Sequence, residues 1–458
     1  MKLFKIYTYA ILVLALLVNT SCNLTDVTDV EPVYQVSEDK VITNLDQAQT
    51  VLYGTYGILK NLEFTGYAPG LTSLMGVTMK PGSFAGSSEN AFFNNDVSPD
   101  NFYAEIIYAK MYFLINNANH VITKTALLEA DETRKKEIIG EARALRALSH
   151  FYLLRLWGQF YDINSEYGIV LKEQPIKDAT VQPRATVSEV YELILADLDY
   201  AIQNAPDFSD TFYTSKIFAK GLKSKVLLYK KDYSQAAQAA LEVIELENRT
   251  LEDTFADIFI KKIIDTKEVL FQTPFDNLND RNNKAFIFRA YYLPSEYYVD
   301  FMEGDARKDA AIAYTTSGAA RNAKFNNSTY NGVPLTADTE YFLRLDEVYL
   351  IFAEAVLRGD DDSGAALDAL NKIRERSENP LITTTNKAEL LEIIRNEKIF
   401  ELGAESGEDW FDLVRFHKEG DLDINSFKTI SSDSKLILPI PMQSVDLSDG
   451  LIIQNPDY

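Results

Sequence analysis

The chain has 458 residues, 46% of them apolar and 12% aromatic, enough to bury a large core and too many for a disordered segment. With 68 acidic residues against 45 basic ones it carries a net charge of −23 at pH 7, a surface that repels nucleic acid and other polyanions. One cysteine in the whole chain excludes a disulfide framework.

That cysteine, Cys22, follows a short basic start (Lys2, Lys5) and a nearly unbroken aliphatic run from Ile11 to Val18. The run has the build of a secretory signal and is short of the about 20 residues that span a bilayer. "LVNTSCN" (17–23) resembles a bacterial lipobox, in which small residues, here Thr20 and Ser21, precede the cysteine. Residues 1–21 are therefore read as a lipoprotein signal removed ahead of Cys22, whose thiol carries the lipid. Several acyl chains, each CH₂ contributing about 0.8 kcal/mol, would hold the protein stably at a membrane. Residues 22–40, acidic through Asp26, Asp29 and Glu31, read as a tether, and 41–458 as a single domain, because no Pro/Ser/Gly-rich linker interrupts them.

Within that domain, apolar residues recur at helical spacing through 44–61, 101–126, 132–157, 187–205, 215–231, 233–247, 340–358, 363–377 and 386–404. Thr186 and Glu189 form a capping box ahead of "VYELILADLDYAI", and Pro206 closes that helix. "KVLLYKKDYSQAAQAALEVI" (225–244) and "EAVLRGDDDSGAALDALNKI" (354–373) share one plan: an apolar helix end, a short polar turn, then alanines that let a second helix approach closely. This is the logic of a tetratricopeptide-type hairpin, although no strict 34-residue period persists. Two irregular regions, 62–100 and 248–339, are rich in Gly, Asn, Ser and aromatics; loops that long are uncommon unless they are functional or carry small sheets of their own.

Four segments in order carry a resemblance to a known family: "EARALRALSHFYLLRLWGQ" (141–159), "LRLDEVYLIFAEAVLRG" (343–359) with "ALDALNKIRERS" (366–377), "IIRNEKIFELGAESGEDWFDLVRF" (393–416), and "LILPIPMQSVDLSDGLIIQNPDY" (436–458). Over nearly the full mature chain the sequence resembles the SusD/RagB-like nutrient-binding outer-membrane lipoproteins of Bacteroidetes. The family usually has glycine where Asp457 stands, and often arginine where Lys398 stands. The resemblance implies a mostly α fold, with four tetratricopeptide-like helical pairs as scaffold and long irregular loop insertions as the binding face. It also implies a non-enzymatic protein that captures an oligosaccharide, or a peptide in one branch, and delivers it to a SusC-like TonB-dependent barrel.

The chemistry-bearing residues point the same way. Glu397, Glu401 and Glu405 share one helical face, and with Arg374, Arg376, Arg395 and Arg415 nearby in sequence they read as a structural ion network. His120, His150 and His417 have no ligand spacing, Asp360–Asp362 lack the glutamate of a calcium loop, and no phosphate loop or nucleophile elbow is present. No catalytic residue, metal or cofactor is expected. Sugars stack their C–H faces on aromatic rings and pair their hydroxyls with polar side chains. Trp157 and Trp410 lie in the helical motifs and read as core, so the candidate contacts are the loop aromatics Phe84, Phe92, Phe93, Tyr291 and Tyr292, with Asn94, Asn95, Asp96, Asp280, Arg281 and Arg289 as polar partners. A peptide ligand on the same scaffold, or a helical scaffold with no small ligand, are the alternatives.

Overall fold

The computed structural model describes residues 41–458 apart from 177–179, 247, 263–265, 277–279, 281–282, 326–328, 331–332 and 335–336. The chain divides into two units, Met1–Thr43 and Asn44–Tyr458. Cys22, the signal and the tether lie outside the described residues, as does Arg281.

The second unit is built from helices: α1 (Leu45–Ile58), α2 (Ala68–Met75), α3 (Ser87–Phe93), α4 (Phe102–Ala126), α5 (Glu132–Trp157), α6 (Val187–Asn204), α7 (Lys216–Tyr229), α8 (Tyr233–Ile244), α9 (Phe255–Lys261), α10 (Lys284–Ala290), α11 (Glu296–Phe301), α12 (Leu345–Gly359), α13 (Ser363–Arg376), α14 (Lys387–Leu402) and α15 (Glu408–Glu419), with a few one-turn helices besides. Their starts are chemically marked. Asn101 accepts hydrogen bonds from the N–H groups of Tyr103 and Ala104, Asp131 from that of Arg134, and Thr186 with Glu189 closes the expected capping box. Among the described residues no helix is long and apolar enough to cross a membrane.

Successive helices pack side by side from α4 to α8, and α8 lies against α12, which also holds α13 and α14. The two hairpins read from the sequence are α7–α8 and α12–α13. Their turns share a backbone device: Lys231 and Asp361, each in the middle of its turn, take positive φ of 67° and 57°. Ala236, Ala237 and Ala240 are buried on α8, and a Cβ on Gly359 would come within 3.1 Å of the Ser234 nitrogen. The alanines thus let these hairpins approach closely. Trp157 and Trp410 are fully buried, as expected of core residues.

Two expectations of local structure give way. The periodic stretch 340–358 begins as a strand, since Tyr341–Arg344 pairs antiparallel with Val269–Gln272 before α12 starts. All of these residues are buried, so no alternation distinguished strand from helix. The stretch 62–100 is not one long loop. It holds a π-turn at Glu63–Tyr67, α2 and α3, with every residue of α2 buried. Gly66, Pro69 and Gly70 obscured that segment; at Gly70 a side chain would collide with the ring of Tyr292.

Among the described residues, eight short strands form four two-stranded antiparallel ribbons: β1 (Met79–Pro81) with β3 (Tyr292–Pro294), β2 (Val269–Gln272) with β8 (Tyr341–Arg344), β4 (Ile312–Tyr314) with β5 (Ala320–Asn322), and β6 (Thr329–Tyr330) with β7 (Val333–Pro334).

Buried charge ties the late helices together. Arg307 donates to Glu397 (2.7 Å) and Glu401 (2.5 Å), Arg374 to Glu397 and Arg376 to Glu401, while Glu405 takes Lys324 (2.7 Å) and Arg344. Glu354 of α12 receives Arg415 and Lys398, so a lysine suffices at position 398. Asp457 has φ of +62°, the left-handed region that glycine enters without strain, which accounts for the family's usual residue there. His150 is fully buried, and burial first, then the nearby Arg146 charge, lowers its pKa to about 3, so it stays neutral.

Candidate ligand-binding cleft

The β1–β3 ribbon joins the two regions singled out in the sequence. Met79 faces Pro294, Lys80 faces Leu293 and Pro81 faces Tyr292. The approach to β1 is held from α15. Asp409 accepts the N–H groups of Val77 (2.8 Å) and Thr78 (3.1 Å), and burial raises its carboxyl to about 6 against those bonds. Ser295 donates its N–H to the Thr78 carbonyl at 3.0 Å, and Lys428 donates to the carbonyls of Leu74 and Gly76.

Past β1 the chain crosses the end of α10. The Gly82 N–H donates to the Tyr291 carbonyl (2.7 Å) and the Phe84 N–H to that of Ala290 (3.3 Å). A Cβ at position 82 would collide with the Ala290 carbonyl oxygen, so glycine is required for this crossing. It sets Phe84 beside two rings from α10 and its C-terminus. Centroids lie 6.1 Å apart for Phe84–Phe286, 5.9 Å for Phe84–Tyr291 and 6.2 Å for Phe286–Tyr291. The planes tilt by 67°, 42° and 74°, so the three rings form a cup rather than a flat shelf. Phe84 is 61% exposed and Phe286 45%, a large apolar area left facing water. Helical phase explains the split along α10: Ile287 and Phe288 point into the core while Phe286 and Arg289 stay exposed.

A cleft of about 140 Å³ continues from the cup, lined by Tyr67, Tyr103, Asn283, Phe286 and Tyr291 over a floor of Leu62, Ile287 and Tyr292. The Tyr67 and Tyr103 rings meet edge to face at 5.0 Å. Tyr103 donates its hydroxyl to Glu89 Oε1 (2.8 Å), and Glu89 Oε2 accepts the Gly86 N–H (2.8 Å) at the start of α3. Burial and then the Glu89 hydrogen bond push the Tyr103 pKa well up; burial followed by the charge of Glu63 raises that of Tyr67. Both phenols therefore stay neutral at ordinary pH and act as hydroxyl groups.

The residues singled out from the sequence separate accordingly. Phe84 and Tyr291 stand together in the cup. Phe92 (1% exposed), Tyr292 (1%) and Asn95 (4%) are buried, because 87–93 is a helix whose inner face carries Phe92 and because Tyr292 packs against Gly70 and Phe288. Phe93 lies under the Lys428 ammonium at 4.8 Å, Asn94 is the exposed C-cap of α3, and Asp96 pairs with Lys435 at 3.1 Å. These three belong to the far end of α3 from Gly86. Asp280 is held by Lys60 at 2.6 Å, and Arg289 is exposed on the last turn of α10. Phe286, Tyr67, Tyr103 and Asn283 were not singled out. Phe286 lies within the quoted 276–298 stretch, where phase along a short helix was the available signal, whereas the tyrosines reach the cleft only through the packing of α4 and the π-turn. Among the described residues no group of three or more His, Cys, Asp or Glu is placed to hold a metal ion.

Comparison with known proteins agrees with this architecture. Residues 34–228 match the family model described as "Starch-binding associating with outer membrane", and residues 290–458 match the SusD family. SusD-like protein P38 of Formosa agariphila is 26% identical over 390 residues, covering 71% of this chain and 75% of that protein. A SusD-like protein of Bacteroides ovatus is 25% identical over 373 residues, 68% of this chain and 65% of that one. Among solved structures, a laminarin-binding SusD-like protein superposes with a TM-score of 0.77 at 22% identity, covering 91% of this chain and all of that one. A SusD superfamily protein of Bacteroides vulgatus gives 0.79 at 20% identity over the same shares. Two SusD family models match successive segments that together span most of the chain, and the curated relatives are SusD-like proteins; the chain belongs to the SusD/RagB-like family.

Proposed function

We propose that this protein is a cell-surface lipoprotein, anchored through Cys22 in the outer membrane, that captures an oligosaccharide and passes it unchanged to a SusC-like TonB-dependent barrel. The observation that carries the reading is the cup of Phe84, Phe286 and Tyr291, three rings left partly open to water within 5.9–6.2 Å of one another. Such rings offer stacking faces to the C–H surfaces of a sugar, while the hydroxyls of Tyr67 and Tyr103, with Asn283 and Arg289, supply polar partners. The laminarin-binding relative and the starch-binding description of the matching family support a glycan over a peptide.

Titration calorimetry with laminari- and malto-oligosaccharides, and with short peptides, tests this. Phe84→Ala combined with Phe286→Ala should weaken glycan binding by about tenfold or more, equivalent to about 1.4 kcal/mol, while leaving the thermal midpoint nearly unmoved. Unchanged affinity would remove the cup from the site, and binding of peptides alone would replace the sugar reading. Cys22→Ala should release the protein from membranes.

A further inference from the structure

Glu141 differs from most buried carboxylates of this protein: Glu89 and Asp409 also lack an ion pair among the described residues, but they accept backbone N–H groups, of Gly86 and of Val77 and Thr78, which Glu141 does not. Asp197, Glu354, Glu397, Glu401, Glu405 and Glu408 each face an arginine or lysine within ion-pair distance. Glu141, on α5 and only 6% exposed, makes no ion pair among the described residues. Its Oε2 accepts the Tyr56 hydroxyl at 2.5 Å, and that hydroxyl in turn accepts the Thr214 N–H at 2.9 Å. Oε1 receives no hydrogen bond from any described residue. Burying a carboxylate without a cation is costly, and burial raises this one to about 7, the Tyr56 bond opposing and the Glu137 charge adding to the shift.

A cavity of about 200 Å³ leads to it, between α1, α5 and the 206–215 segment that joins α6 to α7. Tyr53, 51% exposed, and Tyr213 form its aromatic wall, their centroids 5.6 Å apart and their planes inclined by 47°. Tyr213 leans edge-on against Tyr56 at 5.3 Å, so the wall is braced by the residue that binds Glu141. Gln49 and Asp210 are among its other lining residues. The charged groups around it are mostly negative: Glu137 on α5, Asp210, and Asp207, which is paired at the rim with Lys216 (2.9 Å). Aromatic faces beside an uncompensated carboxyl are the combination that recognises a cation through both ring quadrupole and charge-assisted hydrogen bonds.

We infer that this cavity binds an organic primary ammonium group, which donates to Glu141 and rests against Tyr53 and Tyr213. The inference is independent of the glycan reading of the aromatic cup. The ammonium could belong to an amino sugar or to a lysine side chain, and the cavity chemistry is the same for both.

Titration calorimetry of the intact soluble protein with glucosamine and with Nα-acetyl-lysine methylamide, beside glucose, Nα-acetyl-norleucine methylamide and calcium chloride, decides the matter. At least one amine should bind, its neutral analogue at least about tenfold more weakly, and the better amine identifies the source. Glu141→Gln, which keeps a partner for Tyr56, should cost about tenfold or more, and Tyr53→Ala, at an exposed position, severalfold. Affinity for the lysine derivative, whose ammonium stays charged throughout, should rise between pH 6 and pH 8 in the wild type and stay flat in Glu141→Gln. Binding by neither amine, equal binding of the neutral analogues, indifference to Glu141→Gln, or a response to calcium alone would each overturn the inference. Silence from the amines that is relieved by Lys216→Ala would mean that Lys216 itself fills the cavity, and would overturn it too.

Discussion

Phe84 and Phe92 come from one short stretch of sequence and have opposite surroundings. Phe84 is held out to water by the backbone bonds of Gly82 and of Phe84 itself to the end of α10, while Phe92 is 1% exposed on the inner face of α3. Phe92→Ala should therefore destabilise the protein by about 3–5 kcal/mol, the range for deleting a buried ring. Phe84→Ala should stay within about 0.5 kcal/mol, as at an open surface position; urea unfolding of both variants makes the comparison. Glu141 gives a second prediction at this scale. Its carboxyl titrates near 7 when folded against an ordinary 4.5, so between those values the folded state binds more protons than the unfolded one. The stability it contributes is present below about pH 4.5 and is lost as pH rises through about 7. Glu141→Gln cannot titrate, so its stability relative to wild type should climb over that interval, measured by denaturant unfolding at several pH values.

At the scale of elements, the glutamates of α14 show how a face of like charges is tolerated. Glu397 and Glu401 are both fully buried, and Arg307, itself 1% exposed, bonds to both as well as to Asp305. Arg307→Ala would take the cation from Asp305 and leave the buried Glu397 and Glu401 with one arginine each, and should cost about 3–5 kcal/mol. The exposed Lys372–Glu375 pair on α13, 61% and 54% exposed, should by contrast lose no more than about 0.5 kcal/mol when Lys372 becomes alanine. Thermal or chemical unfolding of the two variants checks the contrast. The ion network was legible in part: Arg374 and Arg376 do pair with Glu397 and Glu401, but Glu405 lies beyond the end of α14, Arg395 bonds to Asn396, Arg415 turns to Glu354 and Asp412, and the principal cation was not foreseen. Arg307 is distant in sequence from α14, and only the packing of the intervening segments brings it there.

For the whole molecule, the decisive event is the meeting of 62–100 with 248–339 at the β1–β3 ribbon. A ligand seated in the cup should slow amide hydrogen exchange in 79–86 and in 284–294 together, although the two segments are far apart in the chain. Protection confined to one of them, with the other unaffected, would separate the cup from the ligand site.

Helical periodicity, the capping box at Thr186, the paired hairpins and the tryptophans in the core were all readable from the sequence, because each rests on residues within a turn or two of one another. The same holds for the order of the family segments. Two kinds of assignment lay beyond it. Strand β8 and the buried helix α2 have every residue inside, so neither shows the alternation or periodicity that would mark it. Membership of the cup and of the Glu141 cavity depends on which side chains remain open once distant segments pack. The chain alone determines where apolar faces and turns fall; exposure at Phe84, burial at Phe92 and the absence of a cation at Glu141 are set by long-range contacts, which local spacing does not encode.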